Sequence, residues 1–263
     1  WERFSYYGMR GLLVVYLTQH FLFSDERSSY LYGTYTALVY VMTVVGGSLA
    51  DRYLGARKAV TFGAVLLTLG HLGMAFEGTG SKQLMSYQGT DYQIVLDGRG
   101  GSARQQIISA EGKSYINFTE AHMSIESPVS VDLPAMIKRD ELSFRVETES
   151  FYLNALYLSL ALIIAGVGFL KANISTIVGA LYEFGDARRD SGFTIFYMGI
   201  NLGAFLASIF CGYLGIVHGW RYGFGLAGIG MMLGLVVFIR YNNLLEGKSE
   251  PPSREKLERT VIW

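Results

Sequence analysis

The sequence predicts an all-α integral membrane protein: a six-helix bundle interrupted by one small β-rich insert. Composition is the first reason, because 51% of the 263 residues are hydrophobic, 14% aromatic and only 17% charged, with 32 glycines, a balance that soluble domains seldom show. Six apolar stretches near the length of ~20 residues that crosses a bilayer are the second. The third is a single 73-residue segment, Glu77 to Glu149, with seven Lys/Arg against eleven Asp/Glu and a different periodicity.

The six stretches run from Arg3 to Phe23, Ser28 to Ala50, Ala59 to Phe76, Phe151 to Tyr182, Ser191 to Val217 and Tyr222 to Ile239. The first continues from Arg10 through Gly11 to Phe23 without a small-residue cleavage pattern, so it reads as a span and not as a removable leader. The fourth would measure about 48 Å as one straight helix, which requires tilt, projection beyond the bilayer or a protein-lined place for Lys171. Short connections set the orientation. Arg52, Arg57, Lys58, Arg188 and Arg189 fall on one face, and Arg27 and Arg221 on the other. This places the N-terminus in the cytoplasm and the insert outside it. Four segments follow: 1–76 with helices one to three, 77–149 as an extracytoplasmic β-rich insert, 150–241 with helices four to six, and 242–263 as the start of a cytoplasmic linker with an amphipathic end.

Within the insert, "ELSFRVETES" alternates Leu142, Phe144 and Val146 with Glu141, Arg145 and Glu147, and "DYQIVLDG" alternates less cleanly. That is the period of half-buried strands, and a small antiparallel module is expected. The glycine-rich "DGRGGSAR" lacks the spacing and final Lys of a phosphate-binding loop and reads as a turn. Asn117 opens a glycosylation sequon, "NFT", of a length that chance produces often.

Several function classes are excluded by the same residues. Net charge is zero, which offers no basic excess for nucleic acid. Cys211 is the one cysteine, so neither a disulfide framework nor a thiolate metal site can be built. No Ser-His-Asp constellation, metal cluster or nucleotide loop stands out, and neither an enzyme nor a cofactor is expected.

Ionisable residues inside a bilayer face protein or water and mark functional sites by default. Counting ~1.5 Å per residue from the outer helix ends puts Arg10, Tyr40 and Asn201 in one layer at about 18–24 Å, and Glu2 and Lys171 beneath it at about 30 Å. Arg3, Tyr7 and Arg10 share one helix face at i, i+4 and i+7, and Tyr197 and Asn201 form a second i, i+4 pair. A guanidinium suits bidentate carboxylate capture, and Tyr and Asn supply neutral hydrogen bonds. Together they suit a small zwitterion. Glu2 beside Lys171 can exchange a proton for an ion pair. Plainer readings compete: Glu2, Arg3 and Lys171 as a register-setting ion cluster, most tyrosines as core or belt residues, His20 and His71 as satisfied or snorkelling side chains, and Gly46 with Gly47 as a close helix contact.

"ERFSYYG" at Glu2 to Gly8, "GGSLADRYLGARK" at Gly46 to Lys58 and "FYMGINLG" at Phe196 to Gly203 together resemble the proton-dependent oligopeptide transporters of the major facilitator superfamily. The resemblance covers all six spans and leaves out the insert. It implies twelve helices in two six-helix halves, alternating access and protons as the coupling ion, with this chain as the N-terminal half. The family's opening motif, Glu-x-x-Glu-Arg-Phe-x-Tyr-Tyr-Gly, implies a further Glu three residues before Glu2. A piece of a longer protein is therefore expected, one whose C-terminal six-helix half is missing here.

By position, the resemblance implies proton coupling by Glu2, Arg3 and Lys171 in "GFLKAN", carboxylate binding by Arg10, and further peptide contacts from Tyr7, Tyr40 and Asn201. It also implies that Asp51, Arg52, Arg57 and Lys58 form a conformational latch between the halves. Gly33 occupies the place where animal members carry a proton-linked His, which points to bacterial-type coupling and a bacterial plasma membrane. The expected partners are small peptides, the lipid bilayer and the missing half, with no nucleic acid. The alternatives are a same-family transporter of another anion such as nitrate, and a non-transporting sensor that binds its ligand with the outer insert.

Overall fold

The computed structural model describes residues 1–98, 104–109, 112–126, 133–245 and 247–250. Among these described residues, six α-helices and seven β-strands follow one another in the order α1–α3, β1–β7, α4–α6. They divide into a helical unit, Trp1–Val15 with Asp25–Glu77 and Asn154–Trp263, and a second unit, Tyr16–Ser24 with Gly78–Leu153.

In the first helical layer, α1 (Glu2–Gln19) ends short of the expected Phe23, and the link to α2 passes Leu22 in the left-handed region at φ 53°. α2 (Asp25–Leu49) opens three residues early because Asp25 and Glu26 occupy its first turn, where acids complement the exposed N–H groups. It does not stop at the charges either: a π-helical turn, Ala50–Leu54, carries Asp51 and Arg52, and α3 (Ala56–Ala75) resumes after Gly55. The expected loop Asp51 to Lys58 is thus almost wholly helical. α4 (Ser150–Ala180) is one continuous helix of 31 residues. α5 (Arg188–Tyr213) ends in a second π turn, Leu214–His218, and α6 (Trp220–Arg240) closes the set.

Five of the expected six spans are long and apolar enough to cross a membrane: Asp25–Leu54, Ala56–Ala75, Ser150–Ala180, Arg188–His218 and Trp220–Arg240. α1 is not among them, because its 18 residues include Glu2, Arg3 and Arg10.

Close backbone approach holds the helices. A Cβ on Gly63 would stand 2.6 Å from the Gly166 carbonyl oxygen, one on Gly166 2.8 Å from that of Gly63, and Gly46 lies against Gly168 in the same way. Side chains would separate these axes. Asn173 spans the second contact, its Nδ2 donating to Phe169 O within α4 at 2.7 Å and to Gly46 O across the helix pair at 3.5 Å.

The second unit contains an antiparallel sheet ordered β6-β5-β4-β3-β2-β1-β7. Its strands are β1 Lys82–Tyr87, β2 Thr90–Asp97, β3 Arg104–Ile108, β4 Lys113–Phe118, β5 His122–Ile125, β6 Met136–Lys138 and β7 Ser143–Glu147. First and last strands pair, Met85 opposite Phe144, so the chain enters and leaves the sheet side by side. β1 and β2 join through a two-residue turn with positive φ at both Gln88 (49°) and Gly89 (84°), the primed geometry that matches strand twist.

Met85, Ile94, Ile107, Ile116 and Met123 form the buried core. The alternation in "DYQIVLDG" is reproduced at Tyr92 and Ile94, which point inward, but not at Leu96, which is exposed. In β7 the strand exists but the burial does not: Leu142 is buried, whereas Phe144 and Val146 are 41% and 48% exposed. β7 lies at the sheet edge, where Phe144 still meets the Phe118 ring with centroids 5.7 Å apart. Asn117 sits within β4, its amide on Glu126 Oε1 at 2.8 Å. Much of the glycine-rich "DGRGGSAR" and the expected amphipathic end of the linker lie outside the described residues.

Candidate functional site

The first turn of α1 brings its charges to a cavity of about 530 Å³ inside the helical unit. Glu2, Arg3, Lys171, Ser175 and Tyr197 supply its polar lining, with Leu170, Met231 and Phe238 among the apolar walls. Arg3 Nε stands 3.1 Å from Glu2 Oε2, an ion pair. The other carboxylate oxygen, Oε1, is buried without a hydrogen-bond partner among the described residues. Lys171 acts electrostatically on Glu2, yet its ammonium rests over the Tyr40 ring, 4.2 Å from the centroid. A buried carboxylate with one satisfied oxygen is a high-energy arrangement, because an unpaired buried acceptor keeps its desolvation penalty.

One to two turns along α1 stands a second group. Arg10 is half-buried, and its Nε–H donates to the hydroxyl of Tyr32 on α2, whose ring lies 5.3 Å from the guanidinium carbon. Tyr7 shares this neighbourhood, and Tyr6 interacts with Arg10, Tyr32 and Tyr40 together. Tyr40 therefore bridges the two groups by position, whereas the depth count assigned it to Arg10's layer alone. The helix ends explain the difference. With α1 ending at Gln19 and α2 starting at Asp25, Arg10 lies about 13 Å along its helix and Tyr32 about 10 Å, against about 22 Å for Tyr40. Tyr32 was the residue sequence reasoning passed over. Correct helix ends would have matched it to Arg10.

Asn201 and Tyr197 do share a helix face, but the Asn201 amide donates to the Tyr197 carbonyl at 3.0 Å within α5, and both side chains are exposed. Of the expected latch, Asp51, Arg52 and Lys58 are exposed at the π turn and the start of α3. Arg57 instead takes a partner from beyond α6, ion-pairing with Glu250 while its N–H donates to Ser249 O at 3.2 Å. His71 is fully buried, with Nδ1 on Leu67 O at 2.7 Å and Nε2 without a hydrogen-bond partner among the described residues, so it is a core position only half satisfied and not a snorkelling one. Asp186, just before α5, accepts from the N–H and guanidinium of Arg188 at 2.8 Å each, and these bonds hold its carboxyl below the usual carboxylate range. Among the described residues no cluster of His, Cys, Asp and Glu is assembled for a metal.

Known proteins share both sequence and fold with this chain. The uncharacterized transporter YclF of Bacillus subtilis is 34% identical over 95% of the chain, and the Di-/tripeptide transporter of Lactococcus lactis is 31% identical over 90%. Peptide transporter YePEPT of Yersinia enterocolitica is likewise 31% identical over 90%. The chain spans 34%, 35% and 38% of the lengths of YePEPT, the Lactococcus protein and YclF. Its fold superposes on a crystal structure of peptide transporter POT in complex with sulfate at a TM-score of 0.67 and 32% identity, covering all of this chain and 40% of that one. A POT family transporter in complex with 5-aminolevulinic acid is 29% identical, with a TM-score of 0.61, over 41% of its length. The family model for the POT family matches residues 57–256, and the chain, a multi-pass membrane protein by its helices, belongs to that family.

Proposed function

We propose that this chain is the N-terminal half of a proton-coupled di- and tripeptide symporter that works by alternating access. The observation that carries this reading is the cavity bordered by Glu2, Arg3 and Lys171 together, in a chain whose named relatives are peptide transporters. Glu2 Oε1, buried and without a hydrogen-bond partner among the described residues, is the proton acceptor. Protonation there removes the carboxylate charge, frees Arg3 and Lys171 from its field, and lets the half rock around the site. Arg10 receives the peptide carboxylate, and Tyr7, Tyr40 and Asn201 contact the rest of the peptide. The exposed face of α5 that carries Tyr197 and Asn201 is then completed by the second six-helix half.

In this reading the protein lies in a bacterial plasma membrane with its N-terminus cytoplasmic and the β insert outside. Asp51, Arg52, Arg57 and Lys58 then stand at the cytoplasmic face, where they latch one half to the other. No observation favours nitrate or a sensory role over peptide.

The test is uptake. The complete protein in liposomes, given an inward proton gradient, is expected to concentrate a dipeptide. Glu2→Gln and Lys171→Ala should abolish the gradient-driven component while leaving counterflow exchange of the peptide. Uptake equally gradient-driven in both variants would overturn the coupling assignment.

A further inference from the structure

Arg10 is held in an unusual way for a cation inside a bundle. No carboxylate lies within ion-pair distance of it among the described residues, and its strongest neighbours are the phenols of Tyr32, Tyr6 and Tyr7. Its charge is therefore oriented without being neutralised. The Tyr32 hydroxyl takes the Nε–H, and the Tyr32 ring stands 5.3 Å from the guanidinium carbon. A guanidinium offers five N–H donors in a rigid fork, and a carboxylate engages two of them side-on, through Nε and one Nη, or end-on, through the two Nη groups. With Nε taken, the end-on pair is what remains.

From this geometry we propose that Tyr32 is a positioning residue for Arg10: it locks the side chain and reserves the two terminal nitrogens for end-on capture of a carboxylate. This rests on the reading of Arg10 as the peptide carboxylate site. Tyr32 touches no peptide in this scheme. It acts by removing rotamer freedom that binding would otherwise have to freeze, and by excluding the side-on approach. The hydroxyl matters, because the ring alone fixes neither the fork nor its rotation.

The experiment compares the complete protein in liposomes with its Tyr32→Phe variant, using alanyl-alanine as the transported acid and alanyl-alanine amide as a competitor. Tyr32→Phe is expected to raise KM for the acid about tenfold, the scale of one charge-assisted hydrogen bond, with kcat within about twofold and the amide's inhibition constant unchanged. In an Arg10→Lys background, which has no Nε–H fork, Tyr32→Phe should add nothing. An unchanged KM for the acid overturns the role of Tyr32. So does an equal loss for acid and amide, the signature of a merely structural tyrosine. Arg10→Ala separates the two layers of inference: if it weakens acid binding while Tyr32→Phe is silent, the Arg10 site stands and the positioning role falls. If Arg10→Ala leaves acid affinity intact, both fall.

Discussion

The helical unit and the β sheet place their apolar residues in opposite ways. Along α5, Ile195, Met198, Leu202, Phe205 and Ile209 are all exposed, as are Tyr40, Val41 and Val44 on α2. In the sheet the large apolar side chains Met85, Ile107 and Met123 are completely buried, and the outside carries Arg104 with Glu126 and Arg145 with Asp91. An apolar exterior of that extent is a surface for lipid or another protein, whereas the sheet has the profile of a module folded in water. The polar interior of the helical unit inverts the rule again, since Glu2 and Lys171 border its cavity. One chain therefore obeys two solvents. The forces that hold its two regions differ as well: glycine-mediated backbone approach in the helices, side-chain packing in the sheet.

That difference can be broken most forcefully at the glycines. Gly63→Leu forces a four-carbon side chain into a place where even a Cβ would stand 2.6 Å from the Gly166 carbonyl oxygen. Backbone cannot yield as a flexible side chain does, so the α3–α4 contact should open. The expected outcome is loss of a monodisperse peak on detergent size-exclusion chromatography and loss of all uptake. A folded, active Gly63→Leu protein would show that backbone contact is not what holds these helices. Ile107→Asp is the matching break in the sheet, where a carboxylate would replace a fully buried side chain. The cost is about 3–5 kcal/mol, enough to unfold a small module. Limited proteolysis should then cut between Gly78 and Leu153 while dipeptide uptake persists within about twofold. Uptake lost together with the sheet would mean that the module serves transport directly.

How far the fold could be read from sequence follows the same division. Apolar length marked five spans in the right order because the membrane constraint is a strong one-dimensional signal, whereas α1, with three charges in 18 residues, is a helix that apolar length does not mark. Their ends were less legible, since hydrophobicity marks the bilayer and not the helix: Asp51 with Arg52, and Arg188 to Asp190, are charged, yet helical. Strands β1, β3, β4, β5 and β6 escaped because three to six residues carry little periodicity. In β7 the alternation was real and the burial was not. At the site, Glu2, Arg3, Arg10 and Lys171 were conspicuous as charges in apolar surroundings. Tyr32 was one tyrosine among 18 in the chain, and only its partner across the helix pair distinguishes it.

The smallest expected effect lies on the sheet's outer surface, and it sharpens the contrast between a packed core and a screened exterior. Glu126 accepts from Arg104 and, at 2.8 Å, from the Asn117 amide, and these bonds hold its carboxyl below the usual carboxylate range. A group whose folded value is lowered contributes stability above its unfolded value, and that contribution is lost as pH falls through the lowered one. Glu126→Gln should thus lower the melting temperature of the sheet by about 1 °C at neutral pH, since exposed pairs contribute little. Variant and unaltered protein should draw together as pH falls past the ordinary carboxylate value and through the lowered folded one, where the unaltered carboxylate is protonated too. Calorimetry of the complete protein in detergent, stepped from neutral into acid, distinguishes this from packing, which does not titrate. A difference of several degrees that persists in acid would make Glu126 part of the sheet's framework, and the exterior would then hold the module as its core does.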